Sequence, residues 1–404
     1  MSTRNDYSMV SGGGMDVHYK FSQVTMRDEQ GHIVRRERLD HPDRERMRCR
    51  LAQWPRGVPF VLEASFGWGW VAELMQEVGL MPVLSNCLKV ERMRKARGLP
   101  KTNKKDADLL SLLPAEKSDW WKVWLAPPSV RDQREWMRYR SDLVKIGTQT
   151  RCRIHAVFHR HGVFHEFSDL FGAQGRVFLA ELCRQGQARD VQLPPGALAA
   201  LRGQVRLLGH VRGQLAEVAR TLRAHLADSP VARRLDGIPG FGLILSHTVI
   251  AEIGEIGRFR THRNLASYSL LSPIAADSGE EDPSRSPLGR RLGQRGNRTL
   301  KWAFIEAAHG AVRSGGKWRR IFDAYTEGGR KNRNRGYIKV ARELVKVVYV
   351  VWSKGVEYTD NPPARAKACG RDKKKAFLGR SRSGTGQPCA AMAAAQPHGH
   401  QASV

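Results

Sequence analysis

The chain has 404 residues, enough for two or three domains with cores of their own. Its 68 lysines and arginines against 39 aspartates and glutamates leave a net charge of +29, and with 41% hydrophobic residues wholesale disorder is excluded. So basic a chain repels itself unless a polyanion neutralises it, and a nucleic acid is the first expected partner.

An acidic membrane surface is a weaker fit, because the charge is spread along the sequence instead of lying beside one amphipathic helix. No uninterrupted apolar stretch is long enough to span a bilayer, and the amino-terminal residues lack a signal-peptide pattern. Cys49, Cys87, Cys152, Cys183, Cys369 and Cys389 are scattered without a CxxC pair. That usage predicts reduced thiols and a cytoplasmic protein, with neither a disulfide framework nor a zinc ribbon.

Residues 1–14 end in Ser11-Gly-Gly-Gly14 and read as a flexible lead-in. From Met15, the residues Met15, Val17, Tyr19 and Phe21 alternate with Asp16, His18, Lys20 and Ser22, the period of a half-buried strand. A turn near Asp28–Gly31 predicts a hairpin. Short strands follow at Pro59–Glu63 and Met81–Leu84, with helices at Trp68–Val78 and from Asp106. Strands first, then alternating helix and strand, predict a mixed α/β domain over residues 15–127.

Beyond it the pattern is helical. Leu198, Leu201, Val205, Leu208, Val211, Leu215, Val218, Leu222 and Leu226 form a near-heptad, so residues 128–230 read as a coiled-coil hairpin or bundle arm. Residues 231–358 form a second, mainly helical unit. Residues 359–404 are basic and then rich in Gly, Ala, Ser, Gln and His, which predicts a disordered tail.

Asp16 and Glu63 fall where apolar neighbours predict strands. Asp106 has Leu109, Leu110 and Leu113 at i+3, i+4 and i+7, so it lies on the core-facing side of its helix. Three carboxylates aimed into one α/β domain suit a site where Mg²⁺ or Mn²⁺ acts on a phosphodiester. Plainer readings stand beside it: a solvent-facing Asp16, an arginine-paired Glu63, a helix-capping Asp106. Histidines 155, 159, 161 and 165 crowd one stretch, but no acid or cysteine completes a metal site there. Trp120, Trp121 and Trp124 suit a domain-closing cluster better than base stacking.

Leu235-Asp-Gly-Ile-Pro-Gly-Phe-Gly242 before an apolar helix reads as a helix–hairpin–helix, with Gly240 and Gly242 letting the backbone approach a phosphate. A plain tight turn between packed helices fits as well. Ser278-Gly279 precedes clustered arginines, so a hydroxyl nucleophile could stand beside phosphate clamps. Arg290, Arg291, Arg295 and Arg298 suit a nucleic-acid backbone.

Together these residues resemble the DEDD transposases of the insertion sequence 110 family. The matching pieces are Met15-Asp-Val-His18, Leu62-Glu-Ala64, Lys101-Thr-Asn-Lys-Lys-Asp-Ala107, Ile154-His155, Ile238-Pro-Gly-Phe-Gly242, Ala251-Glu-Ile-Gly254, Arg258-Phe259, Leu265-Ala-Ser-Tyr268, Ser278-Gly279 and Arg295-Gly-Asn-Arg298. The resemblance implies a RuvC/RNase H-like nuclease domain, a helical linker and a serine-bearing transposase domain. It implies metal ligands at Asp16, Glu63 and Asp106 and a nucleophile at Ser278. The family's fourth acid falls at Asn103, which could ligate only through an uncharged carbonyl; Asp108 points about 200° away from Asp106 around the helix.

The resemblance further implies DNA as substrate, a structured non-coding guide RNA and a homo-oligomer, dimer or tetramer, acting at the nucleoid. The expected activity is excision and integration of an insertion element. A site-specific invertase on the same scaffold, a non-cutting nucleic-acid-binding relative and a metal-and-water junction nuclease are the alternatives.

Overall fold

The structure, a computed structural model, describes residues 7–273, 292 and 296–360. The amino-terminal half is built on one mixed sheet. Strands β1 (Gly12–Val17), β2 (Phe21–Arg27) and β3 (Ile33–Asp40) form an antiparallel meander. Strands β4 (Pro59–Glu63) and β5 (Met81–Ser85) add in parallel beyond β1, and β6 (Lys122–Val123) closes the far edge antiparallel to β5. The spatial order is β3-β2-β1-β4-β5-β6, so β1 is central. Helices α1 (Arg44–Leu51), α2 (Trp68–Glu77), α3 (Cys87–Ala96) and α4 (Asn103–Leu110) cover the sheet.

The chain enters the fold earlier than its glycines suggest. The expected lead-in is a buried strand from Gly12, and Tyr7 and Val10 already belong to the core. Tyr7 Oη donates to Glu37 Oε1 at 2.7 Å. Burial, then the neighbouring Glu37 carboxylate, pushes the phenol up to about 12. The glycines serve closeness, not flexibility. A Cβ on Gly14 would lie 2.2 Å from the Ser111 nitrogen, and one on Gly13 would lie 2.6 Å from the Phe60 ring. Residues without side chains let the end of α4 rest directly on β1.

The alternation through Phe21 also spans two strands rather than one. β1 stops at Val17, the chain turns at His18–Lys20, and Tyr19 stands 81% exposed. All six β1 residues are buried, because α4 covers the strand.

Helix α5 (Pro128–Arg160) leaves the sheet and meets α7 (Pro195–Asp228) along most of its length. Met137 and Leu143 pack with Val211, Val218 and Leu222, whereas Ile154 and Phe158 pack with Leu201 and Leu208. The two helices therefore run antiparallel, the hairpin that the near-heptad predicts. At its tip sit α6 (Ala173–Gln185) and the small pair β7 (Gln187–Ala188) and β8 (Val191–Gln192).

The carboxyl-terminal region is helical: α8 (Pro230–Asp236), α9 (Leu243–Ile253), α10 (His262–Tyr268), α11 (Arg298–Ser314), α12 (Gly316–Thr326) and α13 (Arg333–Lys354). Its core centres on Ala303, Phe304, Ala307, Ala308 and Ala311 of α11 against Val340, Leu344 and Val348 of α13. Small residues on α11 permit the close approach. Among the described residues, no helix is long and apolar enough to cross a membrane.

Candidate active site

Asp16 and Glu63 meet through strand register. Met15 pairs with Leu62 across the parallel β1–β4 ladder, so the next residue on each strand brings the two carboxylates together at the carboxyl ends of these neighbouring strands. Asp106 comes from the first turn of α4, where Thr102 caps the helix by accepting from the Lys105 amide. Buried Ala107, Leu109 and Leu110 fix the helix on the sheet, with Asp106 partly buried beside them.

These acids are poorly compensated. Burial raises the Asp16 carboxyl above its ordinary value; His18 opposes the rise, with Nε2 at 3.0 Å from Oδ2, while Asp106 adds to it. Glu63 is raised first by burial, against a hydrogen bond with Cys87, and then by Asp16 and Asp106. Asp106 is raised by burial, with Lys101 and Arg94 pulling the other way. Asp106 raises Asp16, and both raise Glu63, so ionising these acids together costs energy that a cation would return. Hard oxygen donors of this kind suit Mg²⁺ or Mn²⁺. Among the described residues, no three His, Cys, Asp or Glu side chains stand close enough to hold a metal ion as they are placed.

Asn103 is the exposed first residue of α4, one turn before Asp106, and its amide makes no hydrogen bond with the described residues. Asp108 is committed elsewhere. It accepts from Thr25 at 2.8 Å and from both Arg36 nitrogens at 3.0 Å. Burial works to raise its carboxyl, but those bonds prevail and hold it below the usual range.

Sequence reasoning gave no role to Cys87 or Lys101. Cys87 donates to the Ala64 carbonyl at 3.0 Å, and burial, with Glu63 nearby, pushes its thiol up to about 11. Lys101 opens the Lys101–Ala107 segment, and its charge reaches all three acids. Its position in that motif was the available signal. His18 carried a similar one, closing the Met15–His18 segment.

In the helical region Gly240 sits in the α8–α9 turn with φ +88°, and a Cβ there would lie 2.0 Å from the Ala307 carbonyl oxygen. Its bare backbone packs against α11. Gly242, at the start of α9, has open space at its Cβ position. Ser278, Arg290, Arg291 and Arg295 lie outside the described residues.

What frames that segment is well built. Pro273 pairs with Leu292 in an isolated antiparallel bridge, and the Asn297 amide donates to the Tyr268 carbonyl at 2.8 Å. Asn297 caps α11, and its Nδ2 donates to buried Glu252 at 2.6 Å. Arg134 and Arg258 donate to the last carbonyls of α9. Arg258 also lies between the rings of Trp124 and Tyr268, each 4.6 Å away. Of the three tryptophans, Trp121 is core and Trp124 closes this joint, while Trp120 is 39% exposed. His155 packs against His165 and Phe171 at 5.8 and 5.3 Å between ring centres.

A central strand and its parallel neighbour thus carry one acid each, with a third on the helix laid over them. Residues 13–162 match a transposase family of the DEDD, insertion sequence 110 type, and residues 232–323 match the family described as transposase IS116/IS110/IS902. The chain belongs to that family. It is 21% identical over 302 residues to the transposase for insertion sequence element IS1328 of Yersinia enterocolitica, covering 73% of this chain and 82% of that one. It is 28% identical over 160 residues to an uncharacterized 44.8 kDa protein of insertion element IS116 of Streptomyces clavuligerus, covering 37% and 36% respectively.

Proposed function

We propose that this transposase excises and integrates its element by cutting and exchanging DNA strands at two cooperating centres. The first is a RuvC-like nuclease domain over residues 15–127, in which Asp16, Glu63 and Asp106 would hold Mg²⁺ or Mn²⁺ with the Asn103 carbonyl as a weaker fourth donor. When bound, the ion would supply charge neutralisation at the phosphodiester. The second is Ser278 in the 231–358 domain, whose hydroxyl attacks phosphorus and exchanges a DNA ester for a serine ester. Residues 128–230 link the two. Arg290, Arg291, Arg295 and Arg298 hold the backbone beside the serine, and Gly242 lets α9 approach it.

The observation that carries this reading is the β1–β4 register, which sets Asp16 beside Glu63 under a helix bearing Asp106. The strand order, with β1 central and β2 reversed, is consistent with a RuvC or RNase H-like sheet, and the α8–turn–α9 segment resembles a helix–hairpin–helix. A net charge of +29 suits DNA, a structured guide RNA and work at the nucleoid, and a homo-oligomer would let the acids of one copy meet the serine of another.

The test is a nicked substrate that traps a covalent protein–DNA adduct. The wild type forms it with Mg²⁺ and not in excess chelator; Ser278→Ala forms none while binding DNA with nearly unchanged affinity. An adduct from Ser278→Ala would move the nucleophile elsewhere, to Ser272, Ser284 or Ser286, and undiminished cleavage in chelator would remove the metal.

A further inference from the structure

Between α5, α9 and α11 opens a cleft of about 560 Å³, away from the carboxylates of the sheet. Its walls carry Arg138, Arg140, Lys145 and Arg298 against two acids, Asp142 and Glu252. Both acids are already engaged. Asp142 pairs with Lys145 at 2.8 Å, and Glu252 accepts from Asn297. Arg138 pairs with Glu135 at 2.9 Å. Arg140 and Arg298 remain without a carboxylate partner among the described residues.

Arg140 is the telling one. It is half-buried on α5, and burial alone pushes its guanidinium below the ordinary value, with no anion to offset the cost. A guanidinium partly removed from water with no carboxylate beside it is favoured by an anion that completes it. Arg298 faces the same space from the first turn of α11, where the helix dipole also favours negative charge. One turn further along α11, Trp302 lines the cleft and is 46% exposed. Two unanswered guanidiniums and an open indole in one cleft match the two halves of a nucleotide: a phosphate and a flat base.

We propose that this cleft holds an unpaired DNA strand, with a phosphodiester on Arg140 and Arg298 and a base stacked on Trp302. The choice of DNA rests on the transposase reading above; the choice of an unpaired strand rests on the cleft itself. Its volume falls within the range of small-ligand pockets, about 300–1,000 Å³, which takes a nucleotide or two and not a duplex. A duplex also hides the base faces that an indole would stack upon.

The experiment uses the full chain in chelator, so that no cleavage intervenes. Fluorescence anisotropy compares a labelled single-stranded DNA, its duplex and the RNA of the same sequence, across a salt series. Trp302→Ala is expected to weaken single-strand binding by about 5- to 100-fold and to leave duplex binding unchanged, with Trp302→Phe restoring most of the loss. Arg140→Gln is expected to weaken the single strand and to flatten its salt slope by about 0.7, and Arg140→Lys to recover the slope. Unchanged single-strand affinity in both variants overturns the proposal. So does an equal loss on the duplex, or a loss confined to RNA. The catalytic reading fails separately: it falls if Asp16→Asn still cleaves, whatever the cleft variants bind.

Discussion

The two regions treat a buried acid in opposite ways. In the helical region Glu252 is met by the Asn297 amide at 2.6 Å, with Arg134 4.0 Å away, and it ties α9 to the start of α11. Even at the edge of the sheet, Glu37 accepts from Tyr7 and from two Arg50 nitrogens. Asp16 has His18 at 3.0 Å and Glu63 the Cys87 thiol, but among the described residues no arginine or lysine forms an ion pair with either of them or with Asp106. Burial raises all three, and each has another acid among the causes of its rise. A satisfied acid holds a structure together, whereas an acid left in repulsion costs stability unless a function uses it.

The largest expected effect separates those roles. Asp16→Asn should lower DNA cleavage by at least about a hundredfold, since it removes a charged donor from the site. The same variant should melt no lower than the wild type. The sign follows from the raised carboxyl: folding binds a proton more readily than the unfolded chain does, so ionisation costs stability as pH rises above the ordinary carboxylate range. Removing the charge removes that cost. A clear fall in melting temperature at neutral pH would make Asp16 structural after all.

Gly14→Ala tests the platform beneath the acids. Its new methyl would meet the Ser111 backbone nitrogen at 2.2 Å, and backbone cannot swing aside. We expect a loss of about 3 kcal/mol in denaturant unfolding together with lost cleavage. Unchanged stability would mean that α4 does not rest on β1 as described.

Glu252→Ala should cost about 2 kcal/mol in the same measurement, because it strands Asn297 and leaves Arg134 without its nearby carboxylate. Here the melting temperature falls, opposite to the direction set for Asp16→Asn. Matching signs in the two variants would erase the contrast between the regions.

Asn103→Asp is a gentler probe. Placed one turn before Asp106, the added carboxylate should retain or raise cleavage by a few-fold and tighten the Mg²⁺ requirement. Loss of cleavage with the fold and DNA binding intact would show that position 103 is no donor.

The smallest effect concerns Glu343 on α13, which accepts from Lys339 and Lys346 at 2.8 Å each. Burial works to raise it, but those two lysines hold it below the usual range. Its contribution is therefore present above the unfolded carboxylate value and lost as pH falls through the lower, folded one. Glu343→Gln should cost about 0.5 kcal/mol at pH 7 and nothing once both states are protonated in acid. A pH-independent difference would assign the effect to packing instead.

Periodicity alone determined much of this protein. The strand at Pro59–Glu63, the helix from Trp68 and the long helices of the hairpin follow from apolar spacing, because each element's own residues carry the apolar side chains it buries. The same spacing set Asp106 and Asp108 on different sides of α4, where Asp108 reaches Thr25 of β2 and Arg36 of β3. Helix α1 escaped that reading, since five of the eight residues in Arg44–Leu51 are charged and only Met47 and Leu51 are buried. Only the tertiary structure decided what the glycines do. Gly12–Gly14 read as a loose leader until the end of α4 is laid on Gly14, and only the tertiary structure shows α11 packed against Gly240. Tertiary contact also joined Glu252 to Asn297, 45 residues apart, and opened the cleft that Arg140 and Trp302 both line. A local pattern records which side of an element is apolar; it carries no record of which distant backbone will come to lie against it.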